Sequence, residues 1–396
     1  MPVPERLLTP RFAGLWLYSF VTFFSAFQLL PAIPFRIIDL GGSTAAAGWF
    51  LSAYTFASAF SAPLMGTIAD RVGRRRLLLV ASLAFCGFSL AYGVITNIVV
   101  LLVVGVIHGA LWSGLLSSAA AIMIDYIPES RRTQGIAYSG LASVGAVAIA
   151  PAVGLWVFHF GWWTLCVEMA VLSVLMTIGA LFIHDPSTAG ERHRGALADA
   201  WDWKVIRTTL TLTVVTVGYG GMTSYAALFA VQHHVEPKSI YLTVYAATMV
   251  LFRLFFSHLG DRLGTKTLLY PSLALVPIAF AILGFATTRW EMVVSAAVFG
   301  VGFGGAYPAL ATFIMNNTSA ARRARTFGSI VWAFDTGIGF GSLAVGAIGE
   351  HFGLGRAFLF AAALSCFAIP IFAWTSRLLA ANGTSLAGSP RHAGAE

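Results

Sequence analysis

Long apolar runs alternate along this chain with short clusters of arginine, glycine, proline and asparagine. About 20 apolar residues cross a bilayer as helix. Cutting at the clusters predicts twelve spanning helices, at 12–35, 44–67, 76–96, 98–124, 132–158, 162–183, 205–231, 239–258, 266–287, 290–315, 324–349 and 356–377. The longest polar interruption, Asp185 to Trp203, falls between spans six and seven and carries Pro186, Ser187, Gly190, Arg192 and Arg194. The expected fold class is therefore an all-α membrane protein with two six-helix bundles, 1–184 and 204–378, joined by a linker at 185–203. The Gly/Ser/Ala/Pro-rich tail, 379–396, is expected to be disordered.

The two halves repeat. Asp70-Arg71-Val72-Gly73 after span two matches Asp261-Arg262-Leu263-Gly264 after span eight, an offset of 191. At an offset of 192, Arg131, Gly145, Gly154 and His159-Phe160-Gly161 match Arg323, Gly337, Gly346 and His351-Phe352-Gly353. Parallel six-helix repeats with a site near the midplane between them are one of the architectures of secondary transporters.

Charge sets the orientation. Of 24 Lys and Arg, nineteen lie in the termini and even-numbered connections, four (Arg36, Lys238, Arg289, Arg356) in the odd ones, and Arg253 within span eight. A bias of nineteen to four puts both termini in the cytoplasm, expected to be that of a bacterial cell whose inner membrane holds the chain. Only 10% of residues are charged and 58% are hydrophobic, too few charges to cover a water-facing surface. The net charge of +8 is spread over these connections, with no soluble basic domain for nucleic acid. No cleavable signal peptide is expected, because Met1–Arg11 is polar and the first apolar run is long enough to span. Cys86, Cys166 and Cys366 lie inside apolar runs without metal-ligand spacing. There is no nucleotide-binding Gly-Lys-Thr/Ser loop and no Ser/His/Asp set on one side of the membrane, so neither an enzyme nor an ATP-driven pump is expected. No metal or cofactor is expected either.

Gly66-Thr67-Ile68-Ala69-Asp70-Arg71-Val72-Gly73-Arg74-Arg75-Arg76 resembles the loop motif between spans two and three of the major facilitator superfamily. Gly66 is expected to allow close helix packing, and Asp70 to sit at the positive end of a helix from the other half. Arg71 and Arg74 are expected to pair with acids at nearby helix ends, Asp125 first. The second copy keeps Asp261, Arg262 and Gly264 but has Ser257 in place of the leading glycine. Span five, with Gly140, Gly145, Ala150-Pro151 and Gly154, resembles the motif of the export branch, the twelve-span drug:proton antiporters, with alanine at 150 where the pattern has glycine. Leu29-Leu30-Pro31-Ala32-Ile33-Pro34 resembles the paired-proline end of span one in the same antiporters, but Gln28 is the only polar group with hydrogen-bonding reach where they carry an acid. Span four has Gly105 and His108 where the family often has arginine and glutamine.

The resemblance implies a monomeric secondary transporter embedded in lipid, exporting a small amphipathic molecule against protons. The alternatives are a facilitator-fold importer or uniporter of a small metabolite, and a lipid-linked flippase. Intramembrane titratable groups are functional candidates by default. Asp335, some eleven residues into span eleven, has no Lys or Arg within a turn, so it is either paired across helices or protonated. It is the first candidate for proton coupling, and His108 is the second. Arg253 can attract an anionic substrate, pair with Asp335, or snorkel toward the cytoplasmic face. Glu168 in span six reads as structural. Spans one, four, seven and ten line the pathway in the family, which implies a cavity of Phe24, Phe27, Gln28, Trp112, Tyr219, Met222, Tyr225, Phe303 and Tyr307, to which Arg253 of span eight is added as a candidate.

Overall fold

A computed structural model of the chain describes residues 7–128, 131–185, 203–263, 265–317 and 323–387. The described residues form helices α1 (Pro10–Asp39), α2 (Thr44–Val72), α3 (Arg74–Val94), α4 (Ile98–Tyr126), α5 (Arg132–Phe158) and α6 (Trp162–Phe182), then α7 (Trp203–Gln232), α8 (Ile240–Leu263), α9 (Thr265–Phe285), α10 (Arg289–Asn316), α11 (Arg323–Phe352), α12 (Leu354–Cys366) and α13 (Ala368–Ala387). Each predicted span falls on one helix, except the twelfth, which is divided at Phe367. Pro370 is the reason: it has no N–H to donate to the Cys366 carbonyl four residues earlier.

Helix starts follow local capping chemistry. Ser43 Oγ accepts from Ala46 N at 3.2 Å and Asn97 Oδ1 from Val99 N at 2.9 Å, while Thr288 and Glu291 form a reciprocal capping box. Gly73 joins α2 to α3 at φ 104, a conformation that an L side chain rarely adopts, which explains the glycine in the motif. The repeated His-Phe-Gly places Gly161 and Gly353 at φ 116 and 87, each just before a helix, so the internal repeat extends to backbone conformation.

Among the described residues, ten helical stretches are long and apolar enough to cross a membrane, Leu354–Leu378 counting as one. α2 is not among the ten, and in α8 the stretch Ile240–Phe255 is apolar but shorter than a full span. α2 carries hydroxyls on the surface it buries against α11, and α8 ends in a polar turn. Packing repeats with the sequence. α1 packs on α5, α2 on α4 and α3 on α6; correspondingly α7 packs on α11, α8 on α10 and α9 on α12. Between the halves, α2 meets α11, α5 meets α8 and α1 meets α7. The expected linker lies outside the described residues over 186–202, as does the tail over 388–396. The tail differs from expectation in its first part: α13 continues to Ala387, through Leu378-Leu379-Ala380-Ala381, all good helix formers.

Candidate functional site

The two halves meet at mid-depth through a carboxyl. Asp335 lies twelve residues from the start of α11, about 18 Å along the helix at 1.5 Å per residue. It is 7% exposed, and Ser58 Oγ of α2 donates to its Oδ2 at 2.6 Å. Ser58 is a partner across helices that no motif announced, and a hydroxyl, unlike a counter-ion, suits the protonated acid as well as the carboxylate. Tyr54, one turn before Ser58, lies within electrostatic range of Asp335, and its buried hydroxyl has no hydrogen-bond partner among the described residues.

His108 turns into the first half instead of toward the seam between halves. Its Nδ1 lies 3.0 Å from the Tyr92 hydroxyl of α3, and the rings of Phe85, Phe88 and Tyr54 pack around it at 4.3, 5.2 and 5.0 Å. With Ser25, Ser89 and Ser173 it borders a void of about 10 Å³, the minimum for one water molecule. His108, the second candidate for proton coupling, thus lies inside its own half: glycines on α4 draw that helix so close to α2 that the imidazole is enclosed. At Gly109 a Cβ would collide with the Tyr54 carbonyl. Trp112 and Phe27 belong to the same aromatic group, joined through Phe23, whose ring meets Trp112 edge-on at 5.2 Å. Phe24 stacks on Phe20 at 5.9 Å.

Gln28 is fully buried, and its Nε2 donates to Glu168 Oε1 at 3.0 Å. Gln28 Oε1 and Glu168 Oε2 are both buried with no hydrogen-bond partner among the described residues. Glu168, read from sequence as structural, thus brings a carboxyl to the part of α1 that lacks one. Gly154 of the span-five motif makes this junction: a Cβ there would lie 2.7 Å from Gln28 Cα. Gly145 is less demanding, since a Cβ would meet only Phe20 at 3.6 Å, and Pro151 lies within α5 beside buried Ala150.

In the second half, Tyr219 stacks on Phe303 at 4.8 Å, Phe303 on Tyr307 at 6.2 Å, and Phe334 meets Tyr307 edge-on at 5.3 Å. Met222 is fully buried on α7. Arg253 faces this group, within electrostatic range of Tyr219, Tyr245 and Tyr307, and its Nε is buried without a partner.

The end of the molecule away from the Asp70–Arg76 motif is shut. Ser52 Oγ donates to Gly339 O at 2.7 Å, Ser342 Oγ to Gly48 O at 3.2 Å, Tyr225 Oη to Thr44 O at 2.8 Å, and Ala45 N to Glu350 Oε2 at 2.8 Å. Tyr225 accordingly belongs to this closure. Lys238, in the connection between α7 and α8, places its ammonium 4.9 Å from the Phe35 ring and 4.5 Å from the Phe158 ring, both in the other half.

At the motif end, Arg74 Nη1 donates to Asp125 Oδ2 at 2.8 Å, its Nε lies 4.0 Å from Asp70 Oδ1, and its backbone N–H donates to Asp185 Oδ2 at 3.2 Å. The pairing expected for Arg74 and Asp125 is made. Arg71 is exposed, with no pairing recorded among the described residues. No described atom lies within 4 Å of a Cβ built at Gly66, so the close packing expected there is not made. Asp261 and Arg262 lie on α8 with side chains outside the described residues, and Gly264 is itself outside them.

The model of the Major Facilitator Superfamily matches residues 15–242 and 237–392. The quinolone resistance protein NorA of Staphylococcus aureus (strain MSSA476) is 23% identical over 314 residues, covering 76% of this chain and 80% of that protein. An uncharacterized MFS-type transporter of Burkholderia pseudomallei (strain 1106a) is 25% identical over 364 residues, covering 87% of each. Among solved structures, the nucleoside transporter NupG superposes with a TM-score of 0.71 at 16% identity, over 93% of this chain and 99% of that one. A bacterial homolog of the human lysosomal transporter Spinster, inward-facing and unoccupied, superposes with a TM-score of 0.73 at 15% identity, over 95% of this chain and 98% of that one. Helix order, internal repeat and loop motif converge with these matches: the chain is an integral membrane transporter that belongs to the major facilitator superfamily.

Proposed function

We propose that this transporter exports a small amphipathic molecule in exchange for protons, by alternating access between two six-helix halves. Both termini lie in the cytoplasm in this reading, and the motif end is the cytoplasmic end. The supporting observation is the Ser58–Asp335 bond, which puts a buried carboxyl of one half on a hydroxyl of the other. A proton arriving at or leaving that carboxyl changes the contact between the moving parts, as coupling requires. The name of the Staphylococcus relative, a quinolone resistance protein, supports export. The gate consists of Gly66, Asp70, Arg71, Gly73, Arg74 and Asp125 with the second copy at Asp261, Arg262 and Gly264. The pathway runs between Phe24, Phe27 and Trp112 on one side and Tyr219, Met222, Phe303 and Tyr307 on the other. His108 contacts the coupling site through the Tyr54 ring.

A second reading, a uniporter of a small metabolite, draws on Gln28 standing where the exporters carry an acid. One experiment separates the two. Everted vesicles carrying the wild type accumulate members of a compound panel when a pH gradient is imposed. Asp335→Asn abolishes that accumulation while exchange without a gradient survives, because the amide keeps the shape of the protonated acid. Accumulation by the Asn variant at the wild-type rate refutes coupling at Asp335, and the same assay on His108→Gln then tests α4.

A further inference from the structure

Arg253, at the centre of the second half, is a cation with no counter-ion among the described residues. It lies thirteen residues from the start of α8 and ten from its end, some 15–20 Å from either edge of the helix. The ion pairs among the described residues, Arg74 with Asp70 and Arg74 with Asp125, do not involve it. Asp335, the partner that sequence suggested, is held by Ser58 and is not among the groups acting on Arg253. What surrounds the guanidinium is aromatic: Tyr219, Tyr245 and Tyr307 act on it, and its Nε is sealed from solvent.

An uncompensated charge buried in a membrane protein is costly and is kept where it has a task. A phenol is a poor counter-ion but a good second donor. Among the described residues no hydrogen bond is recorded for the Tyr307 hydroxyl, and the group lies within electrostatic range of both Arg253 and Asp335. The rings beside it form a ladder of nearly parallel faces, Tyr219 on Phe303 at an interplanar 14° and Phe303 on Tyr307 at 19°. A planar guanidinium fork matches a carboxylate or sulfonate with two parallel hydrogen bonds, and aromatic faces accept a ring stacked beside it.

We infer that Arg253, Tyr307 and the Tyr219–Phe303 faces form a binding site for a small aromatic anion, with the acidic group on Arg253 and the ring on the ladder. This rests on the reading of the chain as a transporter and names the substrate class for it. The site also places the anion one side chain from the coupling carboxyl: Tyr307 separates the bound negative charge from Asp335, so an ionised Asp335 and a bound anion repel each other across the phenol.

The test is equilibrium binding, which needs no gradient and so stands whether or not proton coupling holds. Purified full-length protein in nanodiscs is titrated with naphthoate and with naphthylmethylammonium, which share a ring and differ in charge. Wild type binds naphthoate in preference to the ammonium. Arg253→Gln weakens naphthoate binding roughly tenfold to a hundredfold, the loss of hydrogen bonds to a charged group. Arg253→Lys retains part of the affinity, and Tyr307→Phe weakens it several-fold with the ring intact. If the Gln variant fails to fold, the Lys and Phe variants and the wild-type charge preference decide. Absence of naphthoate binding to wild type, equal or better binding of the ammonium, or unchanged affinity in the folded Gln variant overturns the inference.

Discussion

Asp335 and Ser58 show how much one side chain can carry in this fold. An interhelical hydrogen bond in a membrane protein contributes about 0.6 kcal/mol on average and up to ~1.7 kcal/mol. That is too little to lock two halves together and enough to bias them several-fold. Gly154 works through space alone. A side chain there meets the backbone of α1 at Gln28, which cannot rotate out of the way. Gly154→Val is therefore expected to destabilise the first half by about 1–3 kcal/mol, the usual cost of overpacking. The thermal unfolding midpoint of the purified protein checks this; an unchanged midpoint means that α1 and α5 can separate freely. Gly145→Ala, facing only the edge of Phe20, serves as a control with little effect.

At the scale of helices, closure of the end away from the motif is shared among α2, α11, α7 and the connection before α8. Lys238 is its least expected member. Its ammonium touches two rings of the other half, and burial lowers its pKa from the usual lysine value while Glu236 and Asp39 oppose that shift. A partly desolvated cation–π contact contributes about 1–2 kcal/mol. Lys238→Gln should thus open this end several-fold more often. A cysteine placed at Ser342, buried at the α2–α11 seam, reports opening in a background without Cys86, Cys166 and Cys366. Its maleimide labelling rate should rise several-fold in Lys238→Gln; an unchanged rate shows that the remaining contacts of α2, α7 and α11 close the end without Lys238.

Across the whole molecule, hydrophobic run length and the two repeats marked the helices and their pairing, because a bilayer permits few other solutions. The loop motif likewise announced Arg74 with Asp125, which are close in space because α3 begins beside the end of α4. What the chain did not announce are contacts fixed by helix rotation: Ser58 on Asp335, Glu168 on Gln28, and His108 enclosed within its own half. A serine, a glutamine and a phenylalanine repeat in any membrane helix, and only three-dimensional packing decides which of them face one another. The break at Phe367 was legible in Pro370, but a proline within a membrane helix more often bends it than divides it.

The central claim is that protonation of Asp335 shifts the balance between the two access states, and it can be tested without knowing the substrate. Asp39 and Gln232 lie exposed at the ends of α1 and α7, on opposite halves of the closed end. Spin labels at these positions report the separation of the halves by pulsed electron resonance. An ionised carboxylate buried with a single hydroxyl donor is costly, whereas the protonated acid is not, so the state with Asp335 buried against Ser58 suits the neutral form. Acid buffer should therefore enrich the short distance in the wild type and alkaline buffer the long one. Asp335→Asn, permanently neutral, should hold the short distance in both buffers. A wild-type distribution that ignores pH, or an Asn variant that still follows it, would contradict the account.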